Sequence, residues 1–154
     1  MKIDKHDPFN QYKSAPRNRG KVIKESDLKD TEWKIQLQLC KWIKLQYPNL
    51  LFRSDIQSAG KLSPQMQNIK LILDPFKSWP DVQIYLPRGG YIGLHIELKR
   101  INSGTFLKDG SLSSGKHVQE QGEMHNLLRS LGYKVVIAEG FEQAKEVLES
   151  YMEN

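Results

Sequence analysis

Asp81, Glu97 and Lys99 are the residues of this 154-residue chain whose types and spacing can do chemistry together. Asp81 follows Trp79-Pro80 and opens a run in which Val82, Ile84 and Leu86 alternate with Gln83 and Tyr85. Beyond Pro87-Arg88-Gly89-Gly90, the residues Ile92, Leu94, Ile96 and Leu98 alternate with Tyr91, Gly93, His95, Glu97 and Lys99. Alternation on both sides of a Gly-rich turn predicts a β-hairpin with one apolar and one mostly polar face. A turn about Gly89 sets Leu86 opposite Ile92, Ile84 opposite Leu94 and Asp81 opposite Glu97. Opposed residues lie about 5 Å apart in Cβ, where two carboxylates repel. A divalent cation turns that repulsion into binding, since Mg²⁺ takes one or two carboxylates and completes its shell with waters and phosphate oxygens. Lys99, two residues from Glu97, projects to the same side. Its ammonium can hold a water near the ion, help lower that water's pKa, or stabilise charge on a phosphorane-like transition state. The alternative for the same three residues is a set of surface ion pairs on an exposed amphipathic hairpin.

The elements that must position this set are legible around it. Asp30-Thr31-Glu32 supplies an N-cap and an acidic first turn, so a helix is expected from there to about Tyr47, before Pro48. Trp33, Leu37, Cys40 and Lys44 form one stripe of it, widened by Ile35, Leu39, Trp42, Ile43 and Leu45, which predicts a largely buried helix. Residues 50–53 read as a short strand and Ser54 to Leu62 as a loop. Ser63-Pro64 places a cap and a first-turn proline, giving a helix over 64–73 that carries Lys70. Residues 102–116, rich in Gly and Ser, read as a mobile loop. Val118, Met124, Leu127, Leu128 and Leu131 mark a long helix closed by Gly132. Tyr133 to Ala138 reads as a buried strand, and Phe141, Ala144, Val147, Leu148 and Tyr151 as the apolar side of a terminal helix. The order α, β, α, β-hairpin, α, β, α implies an α/β fold with a mixed sheet flanked by helices.

Composition limits the rest. At this length one domain is expected, and 38% hydrophobic with 27% charged residues suffices for a core. No apolar run reaches the ~18 residues of a membrane span, and the polar opening Met1-Lys2-Ile3-Asp4 lacks a secretory signal's apolar stretch, so a cytoplasmic protein is expected. Cys40 is the only cysteine, which excludes an internal disulfide and a thiolate zinc cage. The net charge is +5, and residues 1–29 hold eight basic against four acidic side chains. This flexible arm, ahead of a single domain over 30–154, is either a solvated leader or a segment that lies along phosphates.

Taken together, Trp79-Pro80-Asp81 and Gly93-Leu94-His95-Ile96-Glu97-Leu98-Lys99-Arg100 resemble the PD-(D/E)XK nuclease core. More specifically the chain resembles the virus-type replication-repair nuclease (VRR-NUC) domain, including its small stand-alone phage-encoded forms. Glu32 and Gln36 match the family's Glu-x-x-x-Gln opening, and Ser63 with Lys70 matches its Ser-capped helix and lysine. Gln121 stands eleven residues before Gly132-Tyr133, as in the family's Gln helix, and Gly140-Phe141 with Ala144 matches its closing helix. The resemblance covers about residues 31–151 and implies a restriction-endonuclease-like mixed β-sheet core flanked by helices.

The same resemblance implies roles. Asp81 and Glu97 would ligate Mg²⁺, or Mn²⁺ as a substitute, with the Leu98 main-chain carbonyl as a further ligand. Glu32 would help hold the metal or its water, Lys99 would be the catalytic lysine, and Gln121 would orient substrate or water. Bare alternatives are dipole compensation for Glu32 and a solvent-facing position for Gln121. His117 and His125 share the Gln121 stripe and are assigned no catalytic role. Gln36, Lys61, Lys70, Arg100, Lys108 and Lys116 are candidate substrate contacts, the five cations as phosphate partners. The implied activity is Mg²⁺-dependent, structure-selective endonuclease cleavage of DNA by in-line attack of metal-activated water. Branched DNA is the implied substrate, and a homodimeric Holliday-junction resolvase, in host-cell cytoplasm if phage-encoded, is one form of it. Alternatives are a sequence-specific or nicking endonuclease on the same core, or a catalytically inactive DNA-binding protein.

Overall fold

The computed structural model describes residues 32–55, 63–107 and 110–154. The arm over 1–29, the capping pair Asp30 and Thr31, Lys61 and Lys108 lie outside the described residues. Among the described residues four helices and four strands follow one another as α1 (Glu32–Gln46), β1 (Phe52–Ser54), α2 (Pro64–Leu73), β2 (Val82–Ile84), β3 (Leu94–Lys99), α3 (Lys116–Ser130), β4 (Lys134–Glu139) and α4 (Gly140–Glu153). The strands form one mixed sheet in the order β1-β2-β3-β4. The first three are antiparallel, and β4 runs parallel to β3. A parallel neighbour needs a crossover, which α3 supplies. The architecture is therefore the α/β mixed sheet with flanking helices expected from the element order. Among the described residues no helix is long and apolar enough to cross a membrane.

One sheet face is the main core. Val82, Ile84, Leu94, Ile96, Leu98 and Ala138 are all fully buried there, against Leu39 and Ile43 of α1 and Ala144, Leu148 and Tyr151 of α4. Tyr151 Oη donates to the Leu86 carbonyl at 2.6 Å and ties α4 to the hairpin. The α4 stripe is the expected one. The α1 stripe is not: Ile35, Leu39, Trp42 and Ile43 face inward, whereas Trp33, Leu37 and Leu45 are exposed. Because α1 carries apolar residues around most of its circumference, periodicity left two stripes open, and docking on the sheet selected one.

The hairpin body keeps the expected register, with Val82 paired to Ile96, Gln83 to His95 and Ile84 to Leu94. Its tip differs. Arg88 bridges Tyr91 around Gly89 and Gly90, both at positive φ (56° and 82°), as a two-residue hairpin turn requires. The arm from 85 to 87 thus holds one residue more than the arm at 92 and 93, and the expected pairing of Leu86 with Ile92 is lost. Ile92 is left exposed. Gly93 is required by close approach, since a Cβ there would meet the Ile84 carbonyl oxygen at 2.6 Å.

The larger departure concerns the polar face of the hairpin. Every residue of β3 is buried, because α3 lies over the face that carries His95, Glu97 and Lys99. The buried side of α3 is Gln121, Met124, His125 and Leu128, while the expected Leu127 and Leu131 are exposed. Met124, Leu128 and Val135 form a small second core with Trp79 and Tyr133 packed on it. In α2, Ser63 Oγ accepts the Met66 N–H at 3.3 Å, the expected cap, yet the helix buries none of its residues. The Gly/Ser-rich loop is less open than its composition suggests. Phe106 bridges Leu112, and the Ser113 N–H reaches the Thr105 carbonyl at 2.9 Å.

Candidate active site

Asp81 stands at the entry to β2, behind the buried Pro80. Two other elements hold its backbone. Gln36 on α1 donates through Nε2 to Ser54 Oγ (2.7 Å), to the Asp55 carbonyl (2.9 Å) and to the Asp81 carbonyl (3.3 Å). Ser54 Oγ donates to the same Asp81 carbonyl at 2.9 Å. Gln36 therefore fastens α1 and β1 to the start of β2. Oδ2 of Asp81 accepts the Leu98 N–H at 2.8 Å, just past the last β2–β3 pair. In a strand the N–H and C=O of one residue point to the same neighbour. The Leu98 carbonyl thus faces the Asp81 side, at a point where β2 no longer covers it.

Glu97 is the hub of the site. It is 2% exposed and Lys99 is 7% exposed, so neither charge is solvated by bulk water. Lys99 Nζ donates to Glu97 Oε1 at 2.8 Å, and Gln121 Nε2 donates to the same oxygen. The other oxygen, Oε2, is buried with no hydrogen-bond partner among the described residues. His125 Nε2 lies 3.9 Å from it and is likewise unpartnered. A buried acceptor left without a donor or cation is costly, on the order of 1–3 kcal/mol and more for a charged group. Asp81 is strained in the same sense. Burial, then the neighbouring Glu97 charge, push its carboxyl up to about 7, with Glu32 adding to the rise, while the Leu98 N–H and Lys99 oppose it.

A dication held at this point would account for these features. The donors on offer are the Asp81 carboxylate, Glu97 Oε2 and the Leu98 carbonyl, all hard oxygens suited to Mg²⁺ or Mn²⁺ rather than to a thiolate-bound metal. Among the described residues no three His, Cys, Asp or Glu side chains are grouped closely enough to hold an ion by themselves. Glu32 reaches Asp81 through its field without completing such a cage. The set is sparse, which fits an ion that keeps waters and shares phosphate oxygens with a substrate.

The remaining candidates divide. Gln121, for which a solvent-facing position was the alternative, is buried against Glu97. His125, assigned no role from sequence, is buried beside Glu97 Oε2. The signal was its four-residue spacing from Gln121, which puts both on one helix face. Lys70, Arg100 and Lys116 are exposed on separate segments, with Lys116 Nζ 4.0 Å from Glu120 Oε1.

Mutual repulsion makes one stability prediction specific. In chelator at pH 8, Asp81→Asn keeps an oxygen for the Leu98 N–H and removes the charge opposing Glu97. Its melting temperature should rise, by roughly 2–4 °C for each kcal/mol of repulsion relieved. A thermal melt in which the variant is less stable than wild type would mean that the carboxylate is compensated within the protein itself.

Comparison with known proteins agrees at the level of the fold. No family model matches the chain, and no curated protein does. Among solved structures, a VRR_NUC domain protein superposes with a TM-score of 0.52 at 23% sequence identity, covering 80% of this chain and 88% of that one. Element order, sheet topology and this likeness together establish that the chain has the restriction-endonuclease-like α/β fold of a VRR_NUC domain protein.

Proposed function

We propose that this protein is a divalent-metal-dependent endodeoxyribonuclease of the PD-(D/E)XK type. The observation that carries the reading is the pairing of Asp81 with a Glu97 whose Oε2 is buried and unpartnered, next to the Lys99 ammonium. Nothing in a structural core calls for a half-buried carboxylate at Asp81 beside the buried one of Glu97, whereas a dication does.

In this reading Asp81, Glu97 and the Leu98 carbonyl hold Mg²⁺ or Mn²⁺, with Glu32 acting on the ion or its water from α1. When bound, the ion polarises the scissile phosphate and lowers the pKa of an attacking water. Lys99 contributes a fixed positive charge, held by Glu97 Oε1, that stabilises charge growing on the phosphate oxygens in the transition state. Gln121 holds Oε1, so that Oε2 is the oxygen left free. Gln36 sets the position of Asp81 through its backbone. Lys61, Lys70, Arg100, Lys108 and Lys116, with the basic arm over 1–29, are the proposed phosphate contacts.

The finer part of the proposal is structure selectivity. Branched DNA, four-way junctions in particular, is the proposed substrate, and a homodimer would set two identical centres on symmetric strands. The test is a cleavage panel over junction, flap, splayed, single-stranded and linear duplex DNA with Mg²⁺, with Mn²⁺ and with EDTA. Cutting is expected in both metals, strongest on branched DNA, and lost on chelation. Equal cutting of all substrates removes the selectivity. A recognition-sequence requirement on linear duplex favours a sequence-specific enzyme on the same core, and salt-sensitive binding without cleavage in either metal favours an inactive DNA-binding protein.

A further inference from the structure

A second site adjoins the carboxylates on the same sheet face. Gln83 is two residues beyond Asp81 and His95 two residues before Glu97, so strand periodicity aims all four side chains to one side. Gln83 and His95 are also directly paired across β2 and β3. Together they line a cavity of about 650 Å³. At two strand residues, its floor begins about 7 Å from the catalytic pair.

Its lining has a definite chemistry. His95 is 2% exposed, and both of its ring nitrogens are buried without a hydrogen-bond partner among the described residues. Tyr133 meets the His95 ring edge-on, with centroids 4.6 Å apart. Gln83 is buried too, and its Oε1 accepts from Tyr85 Oη at 2.7 Å, which directs that amide oxygen away from other ligands. Phe76, Trp79, Tyr85 and Tyr133 supply four aromatic side chains in the lining. The floor is thus polar and hydrogen-bonding, and the walls are flat and apolar.

The charges in the lining decide what can enter. Among the described residues of the lining Arg53 is the one cationic side chain and is paired with Asp55 at 2.5 Å, while Asp74 adds a second carboxylate. With no positive excess, a phosphate is disfavoured. A neutral planar group with donors and acceptors along one edge is favoured, and carboxylates can accept from its exocyclic amines. A nucleobase has this chemistry, and its pairing edge is free only when it is unpaired. We infer that this cavity receives one unpaired base of the DNA strand that passes Asp81 and Glu97, stacked among the aromatic side chains and read by His95 and Gln83. The inference rests on the nuclease reading for its substrate and adds a reason for preferring DNA that is not fully paired.

The test separates the two. Equilibrium binding of the full chain is measured with Ca²⁺ on a fluorescent oligonucleotide bearing a duplex and a single-stranded tail. A single abasic nucleotide is moved one position at a time through the tail. One position is expected at which losing the base weakens binding about 5- to 100-fold, the effect of losing one base–aromatic stack. Phe76→Ala, at a half-exposed site outside both cores, and His95→Phe, which removes the two unpartnered nitrogens, should flatten that profile. Melts of both variants check that they remain folded. The same oligonucleotides are then assayed for cutting with Mg²⁺. A position-dependent profile without cutting overturns the nuclease reading and leaves the base site standing. A flat wild-type profile with normal cutting overturns the base site alone. A flat profile with tight binding of a free deoxynucleotide also overturns it, assigning the cavity to a small molecule.

Discussion

Asp81→Ala and Glu97→Ala are each expected to abolish the proposed DNA cleavage and leave DNA binding largely intact, the largest effect expected of any substitution in the chain. Removing either carboxylate leaves the ion one of the paired acidic side chains, the Leu98 carbonyl and what Glu32 adds from α1, too little to hold it against water. The lost stabilisation is several kcal/mol of transition-state charge neutralisation. At tenfold per ~1.4 kcal/mol, the rate falls by at least about 10³-fold. Single-turnover cleavage with saturating enzyme isolates this from any change in affinity. The two variants should differ in the metal-free protein. Asp81→Ala frees the Leu98 N–H, which Asp81 Oδ2 now accepts at 2.8 Å. Glu97→Ala instead strands the buried Lys99 ammonium and the Gln121 amide, both of which now donate to Glu97 Oε1. It should therefore be the less stable of the two. Near-normal cleavage by either variant would remove the proposed centre.

Second in size is Lys99→Ala, expected to slow cleavage about 10²- to 10³-fold or more, the range seen when one preorganised donor to a developing charge is removed. Its affinity for metal should change less, because Glu97 Oε2 and Asp81 are not its hydrogen-bond partners in the described structure. The same substitution breaks a buried ion pair whose side chains are 8% and 3% exposed. Breaking such a pair costs on the order of 3–5 kcal/mol by leaving one charge uncompensated. A loss of metal-free stability that Mg²⁺ restores is therefore expected alongside the slow rate, and differential melts with and without Mg²⁺ read it directly. A mild kinetic effect would mean that another group, with His125 the nearest buried candidate to Oε2, handles the charge that Lys99 is assigned.

How far the sequence could be read depended on the range of the interaction involved. The alternation of the hairpin body was legible because strand period acts over a few residues, and Val82 does pair with Ile96 as expected. The cap on α2 was legible for the same reason, since Ser63 bonds a residue only three positions away. The tip of the hairpin was not. Alternation does not reveal an extra residue in the 85–87 arm, where Pro87 offers no N–H to a ladder.

The sequence by itself determined that Glu97 and Lys99 share a face, because side-chain parity along one strand is a property of the backbone; that Asp81 joins them depends on the extra residue in the 85–87 arm, which sets Val82 opposite Ile96. Only the tertiary structure decided that this face is buried. The docking of α3 converts an apparently solvent-facing polar strip into a site where Glu97 holds Lys99 and Gln121 on one oxygen and lacks a partner on the other. It also brought His125 to the carboxylate and set His95 and Gln83 at the floor of a cavity. A helix with polar residues on its inward face carries no local mark of what it will cover. The choice is made by long-range packing of Met124 and Leu128 against Val135, Trp79 and Tyr133.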